Sequence, residues 1–169
     1  MTDRAIFNRR YTSFQPGSTP VYLLNGAGVT TTAPTTYEFT AGENLIQGDV
    51  VYVSGSVVLQ ASAASGVPSE EWQAVGVTSE AATTSSTVTV VLDENVVVSS
   101  SNLVHETSMT PGQYYFLASE QGKLVSATPP SGITVSGGYA AQAPIGIALS
   151  SSELHVEIGT PITLFELFS

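Results

Sequence analysis

Apolar residues in this chain alternate with polar ones, which is the pattern of β-strands that bury one face. The clearest examples are Thr87–Val90 and Leu154–Ile158. Val, Thr, Tyr and Ile dominate these runs, and Gly, Pro, Ser and Asn interrupt them about every 8–12 residues. Helical periodicity is nearly absent. The pattern predicts an all-β protein built as a barrel or sandwich of short antiparallel strands.

The strand pattern occurs twice along the chain. Each copy begins with a Gly-led aromatic strand, at Gly48–Val53 and again at Gly112–Leu117, and a short apolar strand follows. Each copy then places a Gly between β-branched residues, in Val75–Val77 and in Ile145–Ile147, and closes on an alternating strand. Because the copies repeat strand geometry and no reactive residue, the duplication predicts a scaffold.

The repeat divides the chain into three regions. Residues 1–40 are predicted to form an extended N-terminal arm with one short strand, Val21–Leu24. Residues 41–160 form the duplicated β-domain, with units of about 41–98 and 103–160, and residues 161–169 form an apolar tail. Each unit is so short that it would expose part of its apolar core by itself. We therefore expect the units to pack on one another around a pseudo-two-fold axis, as one barrel or as two. The predicted fold is an internally duplicated antiparallel β-barrel or sandwich with an extended arm.

Charge is sparse and unevenly distributed. Charged residues make up 11% of the 169 residues, against about 25% in typical domains. Arg4, Arg9 and Arg10 lie near the start, and Lys123 is the only later basic residue in a chain of formal net charge −10. An acidic body repels nucleic acid, so a nucleic-acid partner is not expected.

Several other classes of protein are disfavoured by composition. The chain has no cysteine, which excludes a disulfide framework, a thiolate metal site and a Cys nucleophile. No apolar stretch is long enough for a transmembrane helix, and the N-terminus lacks the apolar core of a secretory signal. We therefore expect synthesis in a cytoplasm and no membrane partner.

No motif supports catalysis, a metal or a cofactor. The sequence contains no Gly-x-Ser-x-Gly nucleophile elbow with which His105 or His155 could form a catalytic triad. We interpret both histidines as exposed structural residues. The acidic pairs Glu70–Glu71 and Asp93–Glu94 are expected at solvated turns. Asn25–Gly28 lacks the Lys and the helix of a phosphate loop. The sequence predicts a non-enzymatic protein without cofactors.

The N-terminal arm carries the most specific feature outside the repeat. Its arginines are interleaved with aromatic residues, a combination that protein interfaces favour at their centres. We therefore predict a docking segment, while a disordered terminus with incidental charge and a small nucleic-acid contact remain open. The candidate docking residues are Arg4, Phe7, Arg9, Arg10, Tyr11 and Phe14.

The repeated unit resembles the duplicated β-domains of tailed-bacteriophage virion proteins, especially capsid decoration (cement) and head-fibre proteins. The resemblance covers about residues 41–160, and related patterns occur in tail-fibre segments. It implies a small β-barrel or sandwich, often a homotrimer, on the capsid lattice, with no enzymatic residues. The residues that carry it are Ala41–Leu45, Gly48–Tyr52, Ala74–Val77, Thr110–Tyr115, Pro144–Leu149 and Leu154–Ile158.

We therefore expect a virion protein on the outer capsid surface that binds the major capsid protein and itself, and reinforces the joints between capsomers. The main alternative is a receptor- or glycan-binding fibre module, in which Tyr114, Tyr115 and Tyr139 would be exposed platforms. A hydrolase is a third and weaker alternative.

Overall fold

The computed structural model of the protein describes residues 21–24, 27–30, 35–64, 66–126 and 141–163. These residues form short β-strands and two single 3-10 turns, Ser69–Trp72 and Ser100–Asn102. The prediction of an all-β protein is therefore confirmed. The strands are β1 (Val21–Leu24), β2 (Ala27–Thr30), β3 (Thr36–Ala41), β4 (Val50–Ser54), β5 (Val57–Gln60), β6 (Gly76–Thr78), β7 (Thr87–Val91), β8 (Asn95–Val97), β9 (Tyr114–Leu117), β10 (Leu124–Ser126), β11 (Ala141–Gln142), β12 (Pro144–Ala148), β13 (Glu153–Val156) and β14 (Ile162–Thr163).

The chain separates into two compact units, residues 1–34 and 35–169. In the first unit, β1 and β2 form an antiparallel hairpin. The sequence predicted one strand among residues 1–40, and the structure describes more: β1, β2 and most of β3 lie there. Strand β3 belongs to the second unit, so the β-domain begins ahead of the predicted boundary at residue 41.

The first repeat, which we define as residues 36–92, is a closed barrel with strand order β3-β5-β4-β6-β7. Strand β3 closes it by pairing antiparallel with β7 and parallel with β5. Side chains alternate between the barrel interior and its outer face, as the period of two requires. The interior is filled mainly by alanine and valine side chains, with one leucine: Ala41, Leu45, Val51, Val58, Ala82, Val88 and Val90.

The second repeat, residues 95–158, has the same strand order. Its sheet runs β10-β9-β12-β13-β8, which matches β5-β4-β6-β7-β3 strand for strand. The registers also match, since Val50 pairs with Val77 in the first repeat and Tyr114 pairs with Ile147 in the second. In the second repeat, a single parallel bridge between Leu103 and Leu124 occupies the position equivalent to the parallel β3–β5 pairing that closes the first barrel. The internal duplication is therefore confirmed.

The two repeats pack asymmetrically, which corrects the expected pseudo-two-fold arrangement. If a two-fold axis related the repeats, equivalent strand faces would be equally buried. Val50 is 0% exposed, however, and its counterpart Tyr114 is 50% exposed. The outer face of the first repeat, including Val50 and Tyr52, lies in one buried cluster with Tyr115 and Leu117 from the inner face of the second. The second repeat is closed by one bridge only, so its core is completed by the first repeat.

Backbone hydrogen bonds hold the same junction. The turn between β9 and β10 lies against the first repeat, where the Val50 N–H donates to the Gly122 carbonyl at 2.9 Å and the Gly122 N–H donates to the Ala61 carbonyl at 2.8 Å. The Ala63 N–H donates to the Ala118 carbonyl at 2.9 Å. The repeats are therefore one folded body with a continuous core.

Candidate functional site

The predicted docking segment lies outside the described residues. This holds for Arg4, Phe7, Arg9, Arg10, Tyr11 and Phe14, and also for Tyr139 and the end of the tail, residues 164–169. Their role stays a prediction from the sequence.

The two histidines lie in different settings. His155 is on β13, on the face opposite Leu154 and Val156, as its alternation predicted. Its Nδ1 lies 3.0 Å from the Asn95 Oδ1, and its Nε2 lies 3.6 Å from the Asp93 Oδ1. His105 is exposed, in a left-handed backbone conformation with φ of 66°. Within the described part of the chain, neither histidine has a serine hydroxyl among its hydrogen bonds.

The paired carboxylates lie at the chain's turns. Glu70 and Glu71 belong to the 3-10 turn at Ser69–Trp72, and Asp93 and Glu94 connect the two repeats. Glu94 accepts a hydrogen bond from the Thr35 hydroxyl at 2.6 Å. Asp93, Glu94 and Glu70 are exposed and Glu71 is partly exposed, in agreement with the predicted solvated turns.

One buried polar cluster was not predicted, and it is centred on Asp49, whose residue is 2% exposed. The Asp49 Oδ2 accepts from the Ile46 N–H at 2.9 Å and from the Gln60 Nε2 at 2.8 Å. Its Oδ1 accepts from the Asn102 Nδ2 at 3.3 Å. Asn102 precedes Leu103, whose bridge closes the second repeat, so this carboxyl group connects both repeats.

Burial raises the pKa of the Asp49 carboxyl above its ordinary value. The hydrogen bonds from Ile46, Gln60 and Asn102 oppose that shift, and the charge of Glu43 adds to it. Both oxygens of this buried carboxyl group accept hydrogen bonds from the protein. The group is therefore suited to stabilising the junction between the repeats, and it has no access to a substrate. One feature of the sequence indicates this role. Asp49 in the first copy and Gln113 in the second are equivalent, so both copies have a polar residue directly after the leading Gly.

The second repeat presents an apolar face that the sequence analysis also missed. We define the free face as Tyr114, Phe116, Val125, Ile147 and His155. Tyr114, Ile147 and His155 form a cross-strand row, and Phe116 pairs with Val125. Tyr114 is exposed and the other four are partly exposed. The matching positions in the first repeat are Val50, Tyr52, Leu59, Val77 and Val91, which pack in the shared core.

Tyr115 is not an exposed platform, which corrects one part of the fibre-module alternative. Its residue is 0% exposed, and it packs in the core between the repeats. Its hydroxyl donates to the Glu106 Oε2 at 2.8 Å and accepts from the Thr110 N–H at 3.0 Å. Burial raises the pKa of Tyr115, and the charge of Glu106 adds to this effect. Tyr115 therefore fixes the loop that leads into β9.

The described residues contain no group of three or more side chains suited to holding a metal ion. They also contain no helix that is both long and apolar enough to cross a membrane. No protein-family model matches this chain, and no curated protein sequence matches it significantly.

Proposed function

We propose that this protein is a non-enzymatic decoration protein of a bacteriophage head, which binds the outer surface of the assembled shell and reinforces the joints between capsomers. One observation carries the proposal. The two repeats share strand order, register and strand glycines, while neither the strand histidine nor the buried aspartate is repeated: Val91 takes the place of His155 in the first repeat, and Gln113 takes the place of Asp49 in the second. Such a duplication repeats a rigid β-scaffold and does not repeat a reactive side chain.

The proposed mechanism is added buried area across the joints of the shell. A protein that contacts several capsomers at once gains from multivalency, because each contact after the first is intramolecular. The partners are the major capsid protein and further copies of this chain, as a homotrimer. The N-terminal segment with Arg4, Arg9 and Arg10 supplies the contact with the shell, since an arginine fork pairs bidentately with carboxylates.

Co-sedimentation with purified heads that lack the protein tests this function. The full chain is expected to sediment with heads, and a variant lacking residues 1–15 is expected to remain in the supernatant with an unchanged β-type circular dichroism spectrum. Lys123→Gln is the matched control, since it removes the one basic residue outside the segment, where Lys123 pairs with Glu120 at 2.6 Å. Failure of the full chain to bind heads contradicts the function, and binding by the truncated variant contradicts the docking role alone.

A second candidate is a receptor- or glycan-binding fibre module. Tyr114 favours it, because its ring is half exposed on the free face beside Phe116. Aromatic rings at a surface supply large contact area with one polar end. This candidate predicts that the isolated protein binds host cells or immobilised glycans without any head, and that Tyr114→Ala abolishes that binding.

A further inference from the structure

Three polar side chains of the second repeat form a hydrogen-bonded row across the β8–β13 pair. Asn95 and His155 are paired residues on these strands. The Asn95 Nδ2 lies 3.1 Å from the Glu153 Oε1, and the Asn95 Oδ1 lies 3.0 Å from the His155 Nδ1. The row ends beside Asp93, in the connection between the repeats, whose Oδ1 lies 3.6 Å from the His155 Nε2.

The partners in this row determine which ring nitrogen of His155 carries a hydrogen. A carboxylate only accepts hydrogen bonds, so the Asn95 amide nitrogen donates to Glu153 and the amide oxygen is directed toward His155. That oxygen is also only an acceptor, so the His155 Nδ1 carries the hydrogen and donates it. In the neutral imidazole the Nε2 therefore has an unprotonated lone pair, and this nitrogen is the one beside the Asp93 carboxylate.

The separation between these two acceptor atoms fits a shared metal ion. It is longer than a direct N–H···O hydrogen bond, which spans about 2.7–3.2 Å. Two ligands that each lie about 2.0–2.1 Å from a tetrahedral zinc ion are about 3.3–3.4 Å apart, close to the 3.6 Å between the His155 Nε2 and the Asp93 Oδ1. The side chain of Asp93 is 73% exposed and that of His155 is 36% exposed. An ion can therefore reach both atoms from solvent, and Asp93 can close the small remaining gap.

We propose that the His155 Nε2 and the Asp93 Oδ1 bind a divalent transition-metal ion such as Zn²⁺, with water at its other coordination positions. An imidazole nitrogen with a carboxylate oxygen suits such an ion, whereas Mg²⁺ and Ca²⁺ prefer oxygen ligands. Asn95 is a positioning residue, since a ligating histidine commonly donates its second N–H to a fixed acceptor. The first repeat lacks the site, because Val91 and Thr36 take the places of His155 and Asn95.

Isothermal titration calorimetry with ZnCl₂ tests the proposal on the metal-free full chain, at a pH of about 7.5 where an ordinary imidazole is mostly neutral. We expect the wild type to bind zinc saturably at His155, and MgCl₂ to give no such binding. His155→Gln is expected to lose this binding, and Asp93→Asn to weaken it at least about tenfold. His105→Gln is the matched control, because it removes the other exposed histidine. It is expected to bind zinc as the wild type does.

The positioning role of Asn95 has its own readout. Nitrogen-15 NMR of the metal-free wild type is expected to show the neutral His155 ring with its hydrogen on Nδ1, and Asn95→Ala is expected to weaken zinc binding about 10–100-fold. Unchanged zinc affinity in Asn95→Ala, or a neutral ring with its hydrogen on Nε2, overturns the assigned geometry.

The metal site itself is contradicted by a wild type that binds no zinc saturably, or by His155→Gln that binds zinc as the wild type does. Circular dichroism verifies that each variant is folded. If His155→Gln does not fold, Asp93→Asn decides in its place, since that change affects an exposed side chain outside the strands. Each of these outcomes is independent of head binding, so the metal site and the proposed function stand or fall separately.

Discussion

Gly146 of β12 lies so close to His155 of β13 that a Cβ at position 146 would collide with the His155 carbonyl oxygen. The first repeat has the same relationship, since a Cβ on Gly76 would collide with the Val91 carbonyl oxygen. Neither glycine has a positive φ, so the constraint is steric. The Gly between β-branched residues therefore marks the closest approach of two strands in each repeat.

Gly76→Ala and Gly146→Ala are each expected to lower the free energy of unfolding by at least about 2 kcal/mol, because the obstructing atom is backbone and cannot move without breaking strand pairing. Urea denaturation measures the effect. Gly55→Asn is the control: Gly55 has a φ of +62° and nothing within 4 Å, and Asn tolerates that conformation. Loss of less than about 0.5 kcal/mol in both Ala variants contradicts the close approach.

The buried Asp49 predicts a pH dependence with a definite sign. Burial raises the pKa of Asp49, so the folded state holds this proton more tightly than the unfolded chain does. Its contribution to stability is full below the ordinary aspartate pKa, about 4, and is lost as the pH rises through the higher folded-state pKa.

Comparison with Asp49→Asn isolates that contribution, because Asn does not titrate. We expect the free energy of unfolding of the wild type, minus that of Asp49→Asn, to decrease as the pH rises from about 4 toward neutrality. Urea denaturation over this range provides the measurement, and Asp93→Asn at an exposed turn controls for the change in net charge. A difference that stays constant or increases with pH would falsify the buried position of this carboxyl group.

Tyr115 and Tyr114 are adjacent in sequence and differ in role. Tyr115→Phe removes the hydrogen bonds to Glu106 and Thr110, and we expect it to lower the free energy of unfolding by about 1–2 kcal/mol. Tyr114→Phe removes a hydroxyl from an exposed ring and is expected to change it by less than about 0.5 kcal/mol. Thermal denaturation of both variants tests the pair, and equal losses would contradict the assignment of Tyr115 to the core.

The repeated strands could be predicted from the sequence because alternation and glycine placement are local signals. Residues 36–40 of the strand Thr36–Ala41 fall within the predicted arm, although Tyr37 and Phe39 alternate with polar residues there. Its place in the barrel depends on pairing with Val88 and Val90, which lie about fifty positions away. Pairing of that range leaves no local mark in the sequence.

The junction between the repeats could not be predicted for a related reason. Alternation shows that Val50 and Tyr114 lie on strand faces, but the neighbour of each face is set by tertiary packing. The contact between Asp49 and Asn102 spans 53 positions, so neither residue alone indicates it.

Reinforcement of the shell is the central claim, and heat-induced release of DNA from filled heads measures it most directly. Heads that lack this protein are compared with the same heads after the purified full chain has been added back. Decorated heads are expected to release their DNA at a temperature several degrees higher, and the variant lacking residues 1–15 is expected to give no increase. Saturating binding of the full chain with an unchanged release temperature would contradict the claim.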